Sequence, residues 1–168
     1  GGRFIVIDPR RTESAAIADE HLPVRPGTDA FLLLALLHEV FATGRVAPGH
    51  LAPSIVGLDE LRAAVLAFDP VQLAARAGVP HERLARLAHE LCEEPRALVY
   101  GRVGACTQEF GGLSLWLINC LNAVTGHLDS EGGMMFAEPA VDLTRAYGSK
   151  GHHGKFHSRV RKLPEFGN

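Results

Sequence analysis

The sequence predicts an α/β protein with a small parallel sheet flanked by helices. Three short runs of β-forming residues, at 4–7, 22–25 and 97–100, are each followed by a polar or Gly-rich turn. A helical pattern follows each turn, and strands that alternate with helices form parallel sheets. In open sheets of this kind, ligands bind outside the carboxyl ends of the strands. The pattern is therefore typical of a Rossmann-like fold with a binding edge.

Composition narrows the class of protein further. The chain has 168 residues, enough for one compact domain, and its formal charge of −2 disfavours nucleic acid as the main partner. No apolar run approaches the roughly 20 residues of a membrane span. Three scattered cysteines without a CxxC pair favour a reducing compartment, so we expect a cytoplasmic location. The chain starts with Gly and enters a strand almost at once, which suggests a piece of a longer polypeptide.

The first strand, Phe4 to Ile7, has four consecutive β-formers and is predicted to be buried on both faces. Asp8 follows it, where a carboxylate can accept hydrogen bonds from ribose hydroxyls. Arg10 and Arg11 can meet phosphate, because a guanidinium offers a fixed fork of donors. An Asp-Pro turn is also ordinary after a buried strand, so both interpretations stay open.

The second strand leads to the most apolar helix of the chain. A short helix over residues 12–19, with Thr12 as its N-cap, precedes the strand at 22–25. The helix from Thr28 to Ala42 is apolar on nearly every side and should be buried between layers. Asp29 at its start can accept two N–H bonds from a guanine edge, or it can serve the helix as a cap or dipole partner.

A loop over residues 45–58 precedes a helical insertion at about residues 58–92. Its first helix runs from Leu58 to Phe68. Asp69 and Gly78 mark the start and stop of the second, and Pro80 opens the third. We expect these helices to pack on the sheet.

The third strand, residues 97–100, ends in a Gly-rich turn before an apolar helix at 113–124. Gly101 and Gly104 let backbone N–H groups approach a ligand, although tight packing explains such glycines equally well. The helix should be buried almost all round, with Trp116 inside it. Any buried asparagine on it, such as Asn119 or Asn122, needs hydrogen-bond partners.

Neither a catalytic residue nor a metal ligand is predicted in this chain. Cys106 has no histidine fixed near it by local spacing. His152, His153 and His157 lie in a segment whose Gly154 and Lys155 disfavour a metal site. From Met134 onward the sequence is loop-like, and residues 137–168 are predicted to be an extended connector to a further domain.

Three stretches carry a family resemblance: Ile-Asp-Pro-Arg-Arg-Thr-Glu-Ser-Ala from Ile7, Ala-Asp-Glu-His-Leu from Ala18 and Arg-Pro-Gly-Thr-Asp-Ala from Arg25. In their order and spacing they resemble the molybdopterin oxidoreductase superfamily, which includes formate dehydrogenases, nitrate reductases and dimethyl sulfoxide reductases. The resemblance extends from about Phe4 to Gly167. It implies that residues 1–136 form an α/β domain that holds molybdopterin guanine dinucleotide.

The resemblance also assigns site residues. It implies that one guanine dinucleotide arm is faced by Asp8, Arg10, Arg25, Gly27 and Asp29. It implies that the bis-pterin cofactor is lined by Gly101, Arg102, Gly104, Thr107 and Gln108. The family usually has Asn where this chain has His127, which weakens any cofactor contact assigned to that position.

The resemblance implies a molybdenum or tungsten ion held by two molybdopterin guanine dinucleotides. It further implies a 4Fe–4S iron–sulfur cluster in a Cys-rich segment elsewhere in the parent polypeptide, a redox partner subunit or electron carrier, and a small-molecule substrate. The leading hypothesis is a cofactor-holding fragment of a formate dehydrogenase-like or nitrate reductase-like enzyme, redox-inactive alone. The alternatives are a stand-alone Rossmann-type nucleotide-binding or regulatory module, and a scaffold domain without ligand.

Overall fold

The computed structural model describes residues 2–136 and 140, together with the backbone of residues 155–157 and 164–166. The chain divides into two compact units, Gly1–Met135 and Phe136–Asn168. Within the described residues there are seven α-helices, one 3-10 helix and four short strands. None of the described helices combines the length and hydrophobicity that a membrane crossing requires.

A parallel strand pair begins the first unit. Strand β1 (Ile5–Ile7) pairs with strand β2 (Glu20–Leu22), so that Ile5 lies opposite Glu20 and Ile7 opposite Leu22. Helix α1 (Glu13–Ile17) forms the crossover, and the Thr12 side chain accepts a hydrogen bond from the Ala15 N–H at 3.2 Å. The parallel pairing and the Thr12 cap are both confirmed.

Two details of this pair were predicted wrongly. Strand β2 lies two or three residues earlier than the predicted 22–25 and ends at Leu22, before Pro23, which has no N–H to donate to a ladder. Strand β1 is half-buried rather than buried on both faces, and Phe4 beside it is 47 % exposed. A sheet of two strands is too narrow to be covered in the way we predicted.

Helix α2 (Asp29–Ala42) is the centre of the core. It packs against four helices: α3 (Leu58–Leu66), α4 (Pro70–Ala77), α5 (His81–Glu93) and α7 (Gly111–Val124). Leu32, Leu37 and Val40 are among its fully buried side chains. The predicted burial of this helix is therefore confirmed, and its apolar surface joins all four neighbours into one core.

The three helices predicted over residues 58–92 are present, but they pack mainly on α2 rather than on the sheet as we predicted. The Asp69 carboxylate accepts hydrogen bonds from the N–H groups of Val71 and Gln72 and so caps α4. Gly78 ends that helix with φ of 77°, a left-handed conformation that favours glycine. A 3-10 helix, Gly49–Ser54, lies inside the region predicted as a loop.

The third predicted strand is absent from the sheet. Residues 97–100 form neither a helix nor a strand, and among the described residues no ladder joins them to β1 or β2. After them comes a four-residue helix that was not predicted, α6 (Val103–Cys106), and α7 begins two residues before the predicted start. The fold is thus a mostly helical α/β arrangement with a two-stranded parallel sheet, which confirms the predicted class only in part.

Helix α7 is buried on one face only, which corrects the prediction that it is enclosed. Leu117 and Leu121 lie in the core, whereas Trp116 is 51 % exposed and Leu113 and Leu115 are also exposed. Its sequence is apolar all round, but the described part of the first unit covers only the sides that face α2 and residues 97–101.

The second unit contains two strands, β3 (Lys155–His157) and β4 (Pro164–Phe166), which pair antiparallel. The prediction that the chain is loop-like beyond Met134 is wrong at these six residues, because the two segments pair with each other. His152 and His153 lie outside the described residues, and only the backbone of His157 is described.

Candidate functional site

The candidate site begins at the edge where β1 and β2 both end. Asp8 follows β1, and its N–H donates to the Leu22 carbonyl at 3.2 Å. Its Oδ1 accepts from the Arg10 N–H at 2.8 Å, and its carbonyl lies 2.9 Å from His21 Nε2. No partner for Asp8 Oδ2 is found in the described part of the chain, so this oxygen is available to a ligand. The Arg10 side chain is exposed on the same turn.

A tight turn over residues 25–28 leads directly into α2. The Thr28 N–H donates to the Arg25 carbonyl at 3.2 Å, and Gly27 has φ of 76°. Pro26 and Gly27 thus occupy the two central positions of a type II turn, which requires positive φ at the second of them. The Thr28 hydroxyl donates to the Arg25 carbonyl at 2.6 Å and makes no cap bond to α2.

Asp29 is the first residue of α2 and is half-buried. Thr28 occupies the N-cap position, so Asp29 does not cap the helix. Within the described residues its carboxylate has no hydrogen-bond partner. The interpretation of Asp29 as a dipole partner or as a ligand contact stays open, and the cap interpretation is removed.

Arg25 is used structurally. Its Nη1 donates to the Ala75 carbonyl at 3.1 Å, and its N–H donates to the Ala77 carbonyl at 2.9 Å. The side chain lies so close to Gly78 that a Cβ there would be 2.9 Å from Arg25 Cγ. Arg25 therefore holds the last turn of α4, and this role accounts for the residue without a ligand.

The two glycines of the second loop differ in surroundings. A Cβ on Gly101 would lie 2.4 Å from Ile118 Cδ1, whereas nothing lies within 4 Å of a Cβ on Gly104. Gly101 is required for packing on α7, the alternative that the sequence left open. Gly104 keeps its backbone accessible to a ligand.

The polar side chains of this loop are bonded locally. Thr107 Oγ1 donates to the Val103 carbonyl at 2.9 Å, and Gln108 Nε2 donates to the Gly104 carbonyl at 3.1 Å. Cys106 Sγ donates to the carbonyl of Arg102, whose own side chain is exposed. These bonds orient Thr107 and Gln108 and leave Gln108 Oε1 free to meet another group.

Gly27 from the first predicted group and Gln108 from the second lie close together, near the starts of α2 and α7. A Cβ on Gly27 would lie 3.6 Å from Gln108 Oε1, so the amide of the second loop rests on the turn of the first. Beside them the rings of Phe31 and Phe110 meet edge to face with centroids 6.0 Å apart. The end of the loop over residues 101–108 therefore lies beside the turn at Gly27.

Two buried polar residues support this loop. Asn122 is fully buried, and its side chain makes hydrogen bonds with both the N–H and the carbonyl of Val99. His127 is buried too, and its Nε2 donates to the Glu94 carbonyl at 2.8 Å. An asparagine in an apolar helix was a usable sequence signal for Asn122, while Asn119 is exposed. Nothing in the local sequence pointed to the role of His127.

Thiol chemistry is disfavoured at two of the three cysteines. Burial raises the pKa of the Cys92 thiol, and it raises the pKa of Cys120 to about 11. A thiol must lose its proton to ligate a metal or attack a substrate, so neither is poised to do so at neutral pH. Residues 2–136 contain no cluster of three or more His, Cys, Asp or Glu side chains that fits a metal ion.

A separate cleft of about 550 Å³ lies between the C-terminal half of α2 and helix α5. Glu39, Thr43, Arg86 and His89 are among its lining residues. Because α2 has 14 residues, its two ends are about 20 Å apart. The cleft is therefore distinct from the edge that the sequence predicted.

The chain is similar to oxidoreductases of several kinds. It is 32 % identical over 133 residues to a probable oxidoreductase, YoaE, of Bacillus subtilis. The aligned region covers 79 % of this chain and 20 % of that protein. A nitrate reductase of Klebsiella oxytoca is 34 % identical over 61 % of this chain and 11 % of its own length. The molybdopterin-containing subunit PhsA of the Salmonella typhimurium thiosulfate reductase is 29 % identical over 89 % of this chain and 20 % of that subunit. No protein-family model matches the chain.

The fold has a counterpart of known structure, acetylene hydratase from Pelobacter acetylenicus, with a TM-score of 0.68 and 27 % identity. The match covers 74 % of this chain and 17 % of that one. This chain and part of that much longer enzyme thus share a helix-rich α/β fold. The chain belongs to the molybdopterin oxidoreductase superfamily, which confirms the resemblance. It spans about a fifth of the length of several relatives that it matches.

Proposed function

We propose that this chain is the cofactor-holding part of a molybdopterin-dependent oxidoreductase and that its binding edge takes one guanine dinucleotide arm. The observation that carries the proposal is the approach of Gln108 Oε1 to Gly27, with 3.6 Å between that oxygen and the Cβ position of the glycine. It brings two loops, distant in sequence, to the start of one helix. Helix starts attract anions through free N–H groups, which suits a pyrophosphate.

The edge offers complementary groups to each part of a nucleotide. Asp8 Oδ2 can accept from ribose hydroxyls, and the exposed Arg10 can pair with phosphate. The Asp29 carboxylate suits the two N–H donors of a guanine edge. Gly27 forms the turn that positions Asp29. Arg25 anchors the start of that turn to the last turn of α4.

The second loop is proposed to line the pterin side of the cofactor. Gly104 has an accessible backbone, and the exposed Arg102, Thr107 and Gln108 provide donors and acceptors. Gly101 supports this loop through its close packing on Ile118. These groups fit the organic part of the cofactor, and their cofactor contacts stay a prediction.

The described residues fit the nucleotide better than the metal. They supply no cluster of metal ligands, so molybdenum or tungsten would be held by the pterins and by groups elsewhere in the longer protein. When bound, the metal supplies the two-electron redox chemistry, and this chain binds and orients its cofactor. An iron–sulfur cluster, with four Cys ligands, would likewise belong to another segment.

We propose a parent enzyme of the formate dehydrogenase or nitrate reductase type. The similarity to a nitrate reductase over 104 residues supports the second of these. Such a parent would act on a small molecule, exchange electrons with a partner subunit or carrier, and work in the cytoplasm. The remainder of its polypeptide would complete the cofactor cavity around this chain.

Calorimetric titration of the chain with guanosine and adenosine diphosphates tests the assignment of Asp29. We expect guanosine diphosphate to bind more tightly, and Asp29→Asn to weaken it about tenfold without affecting the adenine nucleotide. Asp59→Asn, which alters another aspartate in the first turn of a helix, is the matched control. Equal binding of both nucleotides, or no loss in Asp29→Asn, contradicts the guanine contact. A clear adenine preference favours a nucleotide-binding module of another kind.

A further inference from the structure

We propose that Asn122 is a positioning residue that substitutes for a neighbouring strand at residues 97–100 and so holds the loop over residues 101–108 against Gly27. The positioning rests on geometry alone. Only the identity of what the loop contacts rests on the proposed function.

The side chain of Asn122 makes the bonds that a strand neighbour would make. Its Oδ1 accepts from the Val99 N–H at 2.9 Å, and its Nδ2 donates to the Val99 carbonyl at 2.8 Å. In an antiparallel ladder, a residue exchanges the same two bonds with the residue opposite. A single amide on a helix therefore satisfies both backbone groups of Val99, in a segment that has no strand partner among the described residues.

The amide is fixed in one orientation. Its second N–H donates to the Ile118 carbonyl at 2.9 Å, so Nδ2 faces two carbonyl oxygens. With the amide reversed, Oδ1 would face both carbonyls and every bond would be lost. Asn122 is 0 % exposed, so no water shell replaces these bonds when the side chain is altered.

Helix α7 and the turn after it hold the segment at three successive points. His127 Nε2 donates to the Glu94 carbonyl, Asn122 holds Val99, and Ile118 packs against Gly101. Asn122 and Ile118 are one helical turn apart and so face the same side of α7. Gly101 is the last of these three contacts, and the loop that follows it ends at Gln108, beside Gly27.

The consequence is that α7 sets the position of the loop. The backbone of residues 97–100 would otherwise have to find water or a new partner, and the loop that follows would lose its anchor. Asn122 makes the middle of the three contacts, so its substitution removes the bonds to Val99 between the contacts at Glu94 and Gly101. Asn122 thus influences the loop without touching a ligand.

Hydrogen exchange of the 168-residue chain, measured as protection factors by NMR, tests this. In Asn122→Leu we expect the protection of residues 97–108 to fall about tenfold, while the amides of α2 and α4 keep theirs. In Asn122→Asp the same loss is expected at neutral pH, because a carboxylate cannot donate to the two carbonyls. As the pH falls and the carboxyl is protonated, it can again accept from the Val99 N–H and donate to its carbonyl, so protection should return.

Asn119→Asp is the matched control, because Asn119 lies on the exposed side of the same helix. It should show neither the loss nor the recovery. If a larger change prevents folding, judged by circular dichroism, Asn122→Ser is used and should give the same local loss. Protection of residues 97–108 within twofold of the wild type in the folded variant overturns the proposal, as does Asn122→Asp with no recovery at low pH.

Titration of the same proteins with guanosine diphosphate separates the two proposals. If the wild type binds and Asn122→Leu binds about tenfold more weakly, both stand. If the wild type does not bind, the nucleotide assignment fails for this chain, and the exchange data still decide the positioning role. If the wild type binds and Asn122→Leu leaves exchange unchanged, only the positioning role fails.

Discussion

The two halves of the binding edge are built in different ways. The turn over residues 25–28 lies between a paired strand and α2, and backbone hydrogen bonds hold it on both sides. The loop over residues 101–108 follows an unpaired segment of the described chain whose Val99 is held by a side chain of α7. Backbone hydrogen bonds together with the Arg25 side chain support the first half, whereas buried side chains of α7 support the second. The second half should therefore respond more to single substitutions at buried polar positions.

The largest effect on stability is expected for a substitution in the buried helix α2, and it can be compared with a substitution on the exposed face of α7. Leu37 on α2 is 0 % exposed, so Leu37→Ala should lower the free energy of unfolding by about 3 kcal/mol. Trp116→Ala should cost about 1.5 kcal/mol, since half of that side chain is already in water. Urea unfolding of both variants measures the difference, and equal costs would show that α7 is enclosed as the sequence suggested.

An intermediate effect is expected where the second loop packs on α7. Gly101→Ala places a methyl group against Ile118 Cδ1 and should cost about 1–2 kcal/mol. Ile118→Val removes that methyl, so the double variant should be more stable than the sum of the two single changes predicts, by about 0.5–1 kcal/mol. Urea unfolding of the four proteins closes the cycle. Strict additivity would mean that Gly101 is not needed for this contact.

A smaller effect on stability is expected at β2, the strand that precedes the turn over residues 25–28. Glu20 of β2 forms ion pairs with Arg83 of α5 and with Arg3. The Arg83 guanidinium holds the pKa of the Glu20 carboxyl below its usual value of 4.5. A lowered pKa stabilises the fold above pH 4.5, and this contribution is lost as the pH falls through the folded-state value.

Glu20→Gln should therefore destabilise the chain by about 1 kcal/mol at pH 7, and its difference from the wild type should shrink as the pH falls below 4.5. Urea titrations across that range measure it. Glu131→Gln, at an exposed turn, is the control and should show no such trend. A difference that persists at low pH would show that the ion pair is not its cause.

Local rules predicted the helix caps and the central helix of the first unit well. The Thr12 and Asp69 caps, the stop at Gly78 and the burial of α2 all follow from residues within a few positions of one another. The start of β2 was missed because its first residue, Glu20, is charged. Its charge is compensated by Arg83, which lies far away in the sequence.

The second half could be predicted only in part. Residues 97–100 have the composition of a strand, but composition does not reveal that the partner is the amide of Asn122. The apolar character of α7 does not say which of its faces has a neighbour. The contact of Gln108 with Gly27 depends on the tertiary packing of α2 and α7, while the family resemblance named both residues without joining them.

The most direct test of the central claim is a measurement on the protein that contains this sequence, purified from its own host. Molybdenum and tungsten would be assayed by mass spectrometry, and any nucleotide released by acid hydrolysis would be identified. We predict one of the two metals together with guanosine monophosphate. A folded, fully expressed protein with neither metal nor guanine nucleotide would contradict the account and would mean that the fold serves as a scaffold.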